Sequence, residues 1–268
     1  MVPPVRGPAL LFCPADRPER YAKAAARSDT VILDLEDAVN PSDKAVARAH
    51  LAASTLDPER TVVRVNPVGT DDLEQDLVAL RATPYRTVML AKTASAADVH
   101  VLARYDVVAL IETAAGVVHA ADIAAQPNVV GLMWGAEDLV ASLGGTSSRR
   151  ADGSYRDVAV HARSVVLVAT GAYGKAAIDA VHLDIGDVDG LAAEASDAAA
   201  SGFTATACIH PSQVDVIRAA YRPTDAEVEW ARGVLAAAVG QHGAFRWEGR
   251  LVDGPVLKHA DAVLRRTP

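Results

Sequence analysis

Acidic side chains gather where apolar runs of this chain end. The first case is VILDLEDAV, residues 31–39, in which three aliphatic residues suited to a buried strand lead directly to Asp34, Glu36 and Asp37. An ionised carboxylate is not buried without a partner, because its desolvation costs far more than one apolar contact returns. These acids therefore belong at a rim, where water, a cation or a basic side chain meets them. The same pattern recurs along the sequence. Arg64 lies in TVVRVN, Lys92 follows VMLA, Glu112 closes VVALIE, and Glu137 with Asp138 closes GLMWGAED. Asp179 and His182 fall in AIDAVHL, and His210 ends CIH. Several acids with one arginine and one lysine on successive run ends read as a convergent polar mouth.

Carboxylates with few histidines or cysteines nearby suit a hard cation held by oxygen, and Mg²⁺ fits best because it keeps waters and needs only one or two carboxylates. Glu112 and Asp138, on consecutive runs, are the expected ligand pair. The plainer alternative is that they cap helices or pair with Arg64 and Lys92 in a structural ion network. Zinc is disfavoured by the lack of H-x-H or H-E-x-x-H spacing, and a serine nucleophile elbow by the lack of G-x-S-x-G. Arg20, Lys23 and Arg27 recur at helical spacing, with Arg17 just before them. They make either a solvated helical face or, beside the mouth, a surface for phosphate.

The elements that must position these residues show as eight short apolar runs, at 9–13, 31–35, 61–65, 87–90, 107–111, 129–134, 177–183 and 204–209. They are continuous rather than alternating, as parallel strands buried on both faces should be. Helical patterns such as PERYAKAAARS and PSDKAVARAHLAAS lie between them, with Asp16 and Ser42 as candidate caps. Eight strand–helix units predict an α/β fold of the (β/α)8 TIM-barrel type over residues 1–222, whose strand ends carry the chemistry. An open doubly wound sheet would want a G-x-G-x-x-G after the first strand, and none is there. The loop GGTSSRRADGSYRD is long enough to expect function or mobility. Residues 223–268 form a C-terminal helical extension: a helix near 225–239, a glycine-bounded segment GQHGAFRWEGR expected to be hinged, and a last helix from about Pro255.

Composition bounds the partners. Among the 268 residues 50% are hydrophobic and the net charge is −8, without a long basic block. Disorder is thereby excluded, and a nucleic-acid or anionic-membrane surface is not expected. Cys13 and Cys208 sit in apolar stretches and read as buried core residues. No cationic start leads into an apolar run, and no stretch of about twenty apolar residues occurs, so a cytoplasmic protein is expected.

The stretches FCPADRPERYAKA, VILDLEDAV, VVRVN, ALIETAAG, MWGAEDL, CIHPSQV and EGRLVD, in this order, resemble the citrate lyase β-subunit-like family, which includes malyl-CoA and citramalyl-CoA lyases. The resemblance implies a (β/α)8 barrel, Mg²⁺, and cleavage or formation of a carbon–carbon bond in a 3-hydroxyacyl thioester of coenzyme A. By position, Glu112 and Asp138 would bind Mg²⁺ and Asp37 would hold its waters. Arg64 would contact the keto-acid part and the thioester enolate, and the N–H groups of Gly135 and Ala136 would hold the carboxylate. Phe12, Arg17 and Lys23 match positions that bind coenzyme A. Asp253 matches a tail acid that in malyl-CoA lyases reaches a neighbouring subunit's site, where it would protonate the enolate carbon; that role implies a homo-oligomer, a trimer. A citramalyl-CoA or 3-hydroxy-3-methylglutaryl-CoA type substrate is expected. The competing readings are the β subunit of a citrate lyase complex, acting on citryl carried by an acyl-carrier protein, and a non-catalytic metabolite-binding scaffold.

Overall fold

The computed structural model describes residues 5–267. Eight parallel strands, β1 (Ala9–Pro14), β2 (Thr30–Asp34), β3 (Thr61–Val65), β4 (Thr87–Leu90), β5 (Asp106–Ile111), β6 (Val129–Trp134), β7 (Ala176–Asp179) and β8 (Ala205–Cys208), close in sequence order into a barrel. The chain passes between them through α1 (Tyr21–Arg27), α2 (Lys44–Ala52), α3 (Asp71–Leu80), α4 (Ala96–His100), α5 (Ala114–Val118), α6 (Ala120–Ala124), α7 (Ala136–Ser142), α8 (Asp157–Tyr173) and α9 (Val188–Ser201). α10 (Gln213–Tyr221) follows β8. The (β/α)8 barrel expected from the eight runs is the fold observed. Two compact units divide the chain at Ile217, inside α10: Met1–Ile217 and Arg218–Pro268.

Strand side chains alternate between the two faces of a sheet, so one interior residue fixes the rest. Leu10, Ile32, Val62, Met89, Leu110, Met133 and Ile178 pack together inside the barrel. Two residues further along each strand, the same face carries Phe12, Asp34, Arg64, Ala91, Glu112 and Gly135. Polar mouth and apolar plug are thus consecutive layers of one interior. Cys13 and Cys208 are buried thiols, as expected, and burial pushes the Cys13 thiol up to about 11.

Three expectations are corrected. Neither Asp16 nor Ser42 caps a helix: Asp16 lies against Arg17 (3.5 Å), and the Ser42 hydroxyl donates to Asp43. The apolar run at 177–183 is not one strand, because β7 ends at Asp179, whose side chain faces away from the interior to accept from Trp134 Nε1 (2.5 Å) and Arg163 Nη2 (2.9 Å). The long loop after α7 is tied down. Arg149 and Tyr155 form an isolated bridge, Arg149 Nη1 donates to Glu194 (2.5 Å), and its guanidinium lies 3.9 Å from the centre of the Tyr155 ring.

In the second unit, α11 (Asp225–Ala238) starts with a capping box between Thr224 and Glu227, and α12 (Gly254–Arg265) follows a hairpin of β9 (Phe245–Trp247) and β10 (Arg250–Val252). The segment expected to be hinged is therefore paired and packed. Val252 is buried with Val228, Val234 and Val263, and Phe245 and Trp247 pack against them. Gly233 on α11 makes room for this, since a β-carbon there would stand 2.9 Å from the Trp247 ring. The turn uses Glu248 (φ 46) and Gly249 (φ 78), both left-handed, as a two-residue hairpin turn of this hand requires.

Candidate active site

The mouth is assembled by strand register. β2 and β3 pair so that Asp34 lies beside Arg64, and both point inward by parity. Asp34 accepts from Arg64 Nε at 2.7 Å and from Nη2 at 2.6 Å, a two-pronged pairing that suits guanidinium and carboxylate. The backbone N–H groups of Glu36 (2.9 Å) and Ala38 (3.1 Å) donate to the same carboxylate. Asp34 is fully buried, yet four donors satisfy it, which answers why acids stand at the end of a core strand. Arg64 Nη1 lies 3.1 Å from Glu36, and the guanidinium stands over the Phe12 ring at 4.9 Å from its centre. Burial alone would lower the Arg64 pKa, but the charges of Asp34 and Glu36 outweigh it and raise it. Arg64 is a fixed, permanent cation.

Lys92 is the second cation. Its ammonium contacts Glu36, lies 3.1 Å from Asp37 and stands 3.5 Å from Asp138. Burial lowers its pKa and these three carboxylates raise it further, so it stays charged. Lys92 holds a left-handed backbone (φ 53), rare for a residue with a β-carbon. That conformation accompanies a hydrogen bond from its own N–H to Glu112 Oε1 (2.9 Å). Glu36 is buried between the two cations. Burial raises its pKa, and Arg64 and Lys92 oppose the rise. Asp37 is exposed at the rim; partial burial works against ionisation, but Lys92 and Arg64 together outweigh it and lower the pKa.

Glu112 differs from its neighbours. It is 3% exposed, and burial followed by the charge of Asp138 pushes its pKa up to about 8, with only partial relief from the Lys92 N–H and Arg64. A buried carboxylate whose ionisation is opposed by a second acid beside it suits a cation. Gly135 stands against this carboxylate: a β-carbon there would meet Glu112 Oε2 at 2.8 Å and Glu112 Cβ at 2.9 Å. Asp138 belongs to the first turn of α7, where the helix's N–H end favours an acid. Among the described residues no group of three or more His, Cys, Asp or Glu side chains forms a metal cage. The pair Glu112 and Asp138 suits instead a cation that completes its shell with water and substrate oxygens.

The structure thus brings Phe12, Asp37, Arg64, Glu112, Gly135, Ala136 and Asp138 to one end of the barrel. It corrects one donor. The Gly135 N–H donates to Ile111 O (3.1 Å) as a continuation of the β5–β6 pairing, so the expected pair of carboxylate donors reduces to the Ala136 N–H, which opens α7. Arg17 and Lys23 are exposed on and just before α1. Asp253 is the N-cap of α12, accepting from the Val256 N–H at 3.4 Å. The ion network weighed as the plainer alternative exists for Asp138 through Lys92, while Glu112 takes part only through a backbone N–H.

Two positioning residues were not singled out from the sequence. Asp34 was read as one of a rim of acids, though its place two residues beyond Ile32 sets it on the interior face. Asn66, the last residue of VVRVN, donates to Leu35 O (3.0 Å) and Asp76 (2.7 Å), and Arg48 pairs with the same Asp76 (2.7 Å). This buried network ties the ends of β2 and β3 to α2 and α3, on either side of Arg64. His182 and His210 lie in the loops beyond β7 and β8, where they contact Glu194 (2.9 Å) and Ser212 (2.7 Å).

A closed parallel barrel with paired carboxylates and fixed cations at its strand ends defines a TIM-barrel enzyme type of site. The sequence profile of the HpcH/HpaI aldolase/citrate lyase family matches residues 9–211, and the chain belongs to this family and is an enzyme of its lyase class. It is 62% identical to a citrate lyase subunit beta-like protein of Mycobacterium tuberculosis over 260 residues, covering 97% of this chain and 95% of that one. It is 29% identical to the mitochondrial citramalyl-CoA lyase of Rattus norvegicus over 96% of this chain and 84% of that protein. A crystal structure of the protein CitE of Mycobacterium tuberculosis, in complex with magnesium, acetoacetate and coenzyme A, superposes with a TM-score of 0.93 at 62% identity, covering 97% of this chain and 98% of that one. Among the described residues no helix is long and apolar enough to cross a membrane.

Proposed function

We propose that this protein is a Mg²⁺-dependent carbon–carbon lyase that cleaves a short 3-hydroxyacyl-CoA, of the citramalyl-CoA or 3-hydroxy-3-methylglutaryl-CoA type, into acetyl-CoA and a keto acid. The observation that carries this reading is the Glu112–Asp138 pair beside Arg64: an anionic cation site next to a buried, permanently charged donor. The ligands of the CitE crystal structure, magnesium, acetoacetate and coenzyme A, support it, because acetoacetate is the keto acid that cleavage of a 3-hydroxy-3-methylglutaryl-CoA type substrate leaves behind and coenzyme A carries the other product.

Glu112 and Asp138 would hold the magnesium ion, with Asp37 holding its waters. When bound, the ion supplies Lewis-acid charge to the hydroxyl and carboxylate of the substrate. The Ala136 N–H would hold that carboxylate. The hydroxyl proton would pass to water as the keto C=O forms, and Arg64, held by Asp34, would face the thioester oxygen, where negative charge grows as the bond to the α-carbon breaks and its electron pair becomes the enolate. A carboxylic acid must then deliver a proton to the enolate carbon, and Asp253 of a neighbouring subunit in a trimer is the proposed donor. Phe12, Arg17 and Lys23 would border coenzyme A.

The test is to incubate the purified protein and Mg²⁺ with a panel of 3-hydroxyacyl-CoAs, together with citryl on an acyl-carrier protein, and to read release of acetyl-CoA. Release from citramalyl-CoA or 3-hydroxy-3-methylglutaryl-CoA that stops in EDTA is expected. Turnover of the carrier-bound citryl thioester alone would make the chain a citrate lyase β subunit, and inactivity on the whole panel would leave the scaffold reading.

A further inference from the structure

The opposite pole of the barrel carries a second cleft. Arg81 stands at the C-cap of α3, Arg86 immediately precedes β4, and Arg104 and Tyr105 immediately precede β5. These residues lie at the strand N-termini, with β4 and β5 between them and Lys92 or Glu112. They line a cleft of about 710 Å³ together with the apolar side chains of Leu80 and Val101. The volume is in the range that holds cofactor-sized molecules.

The three arginines are exposed. Among the described residues none of their guanidinium groups has an ion pair or a hydrogen bond, unlike Arg48, Arg60, Arg64, Arg149 and Arg163. Arg81 has a local explanation, since a cation at a helix C-terminus offsets the carbonyl end. Arg86 and Arg104 have none. In a chain of net charge −8, three like charges on one cleft repel each other with nothing opposite them, and a bound anion would remove that cost. Guanidinium forks match phosphate oxygens two at a time, and the wall of Leu80, Val101 and Tyr105 offers an apolar body somewhere to lie.

We propose that this cleft is a binding site for an organic phosphate, its phosphate groups held by Arg81, Arg86 and Arg104 and its aromatic or apolar body laid on Leu80, Val101 and Tyr105. The site is separate from the catalytic mouth and does not depend on the lyase reading.

The experiment is calorimetric titration of ADP into the full chain in the presence of Mg²⁺. Arg86→Ser/Arg104→Ser is the comparison, and the arginine substitutions decide the location. One saturable ADP site is expected in the wild type, weakened at least about tenfold in the double variant, an effect of the size that losing hydrogen bonds to a charged group produces. The double variant should keep the wild-type circular dichroism. Pyrophosphate and citrate should each bind more weakly than ADP. Absence of saturable ADP binding, or ADP binding that the arginine substitutions do not change, would overturn the site. Pyrophosphate or citrate binding as tightly as ADP would overturn the ligand class.

Discussion

Asp34 and Arg64 are neighbours in the β2–β3 ladder and are also joined through their side chains, with two hydrogen bonds of 2.7 and 2.6 Å. Register places them side by side, parity turns both inward, and burial makes their charges interdependent. Removing one partner from a buried pair leaves the other charge uncompensated, at a typical cost of about 3–5 kcal/mol. Asp34→Ala is therefore expected to lose stability of that order in urea denaturation. Asp34→Asn, which cannot accept both bonds, should lower kcat more than it raises KM, because it frees the donor without removing it. Arg64→Lys should lose at least about 10²-fold in turnover, since a point charge does not replace the fork. Asp34→Asn with unchanged kcat would separate Arg64 orientation from turnover.

Glu112 gives a pH dependence. Without magnesium its folded pKa is about 8, against an ordinary value of 4.5. The folded protein keeps this proton when the unfolded chain has released it, so the stabilisation is full below 4.5 and is lost as pH rises through about 8. Glu112→Gln cannot ionise. In EDTA it should melt above the wild type at pH 9, by an amount on the order of a few kcal/mol, and the difference should vanish near pH 4.5. Added Mg²⁺ should stabilise the wild type at pH 9, release a proton at pH 7, and do neither for the variant. Equal melting of the two proteins across this range would remove the buried charge from Glu112.

Gly135 sets the room for that carboxylate. Gly135→Ala puts a methyl group 2.8 Å from Glu112 Oε2 and 2.9 Å from Glu112 Cβ, so the carboxylate must swing away and the ends of β5 and β6 must part slightly. Magnesium affinity is expected to fall at least about tenfold, a difference of roughly 1.4 kcal/mol, with circular dichroism unchanged. Wild-type magnesium binding in this variant would mean that the carboxylate has freedom to spare.

The barrel was legible because parallel strands buried on both faces leave continuous apolar runs, and the gathering of Glu112 and Asp138 at the mouth was legible because both acids close consecutive runs. What the runs do not carry is which face each residue takes where a strand ends. Asp179 looked like a mouth residue, yet it follows the interior Ile178 by one position and so faces the helices, where Arg163 and Trp134 take it up. Asp34 was hidden in the opposite way, its interior position masked by the acids beside it. The hairpin at 245–252 was missed because its turn is Glu248-Gly249 rather than Asn-Gly, and its glycines read as hinge points. Lys92's left-handed backbone and the use of the Gly135 N–H within the sheet leave no trace in residue types.

The tail acid provides the last test. Asp253 is the N-cap of α12, and an N-cap carboxylate lost to alanine costs about 1 kcal/mol, whereas asparagine caps as well as aspartate. Asp253→Asn therefore separates the two roles, keeping the cap while removing the group that could deliver a proton. If Asp253 serves only α12, Asp253→Asn should be as active and as stable as the wild type, and Asp253→Ala should lose a little stability and no chemistry. The proposed role in a neighbour's site requires a different outcome: Asp253→Asn folds and binds the thioester normally but releases acetyl-CoA at least about 10²-fold more slowly, the low end for losing a positioned general acid. Mixing Asp253→Asn with Arg64→Ala under conditions that exchange subunits should then restore part of the activity, because some mixed assemblies pair an intact barrel with an intact tail. Sedimentation of labelled subunits would establish exchange, and the absence of recovery after proven exchange would place Asp253 at its own subunit's barrel.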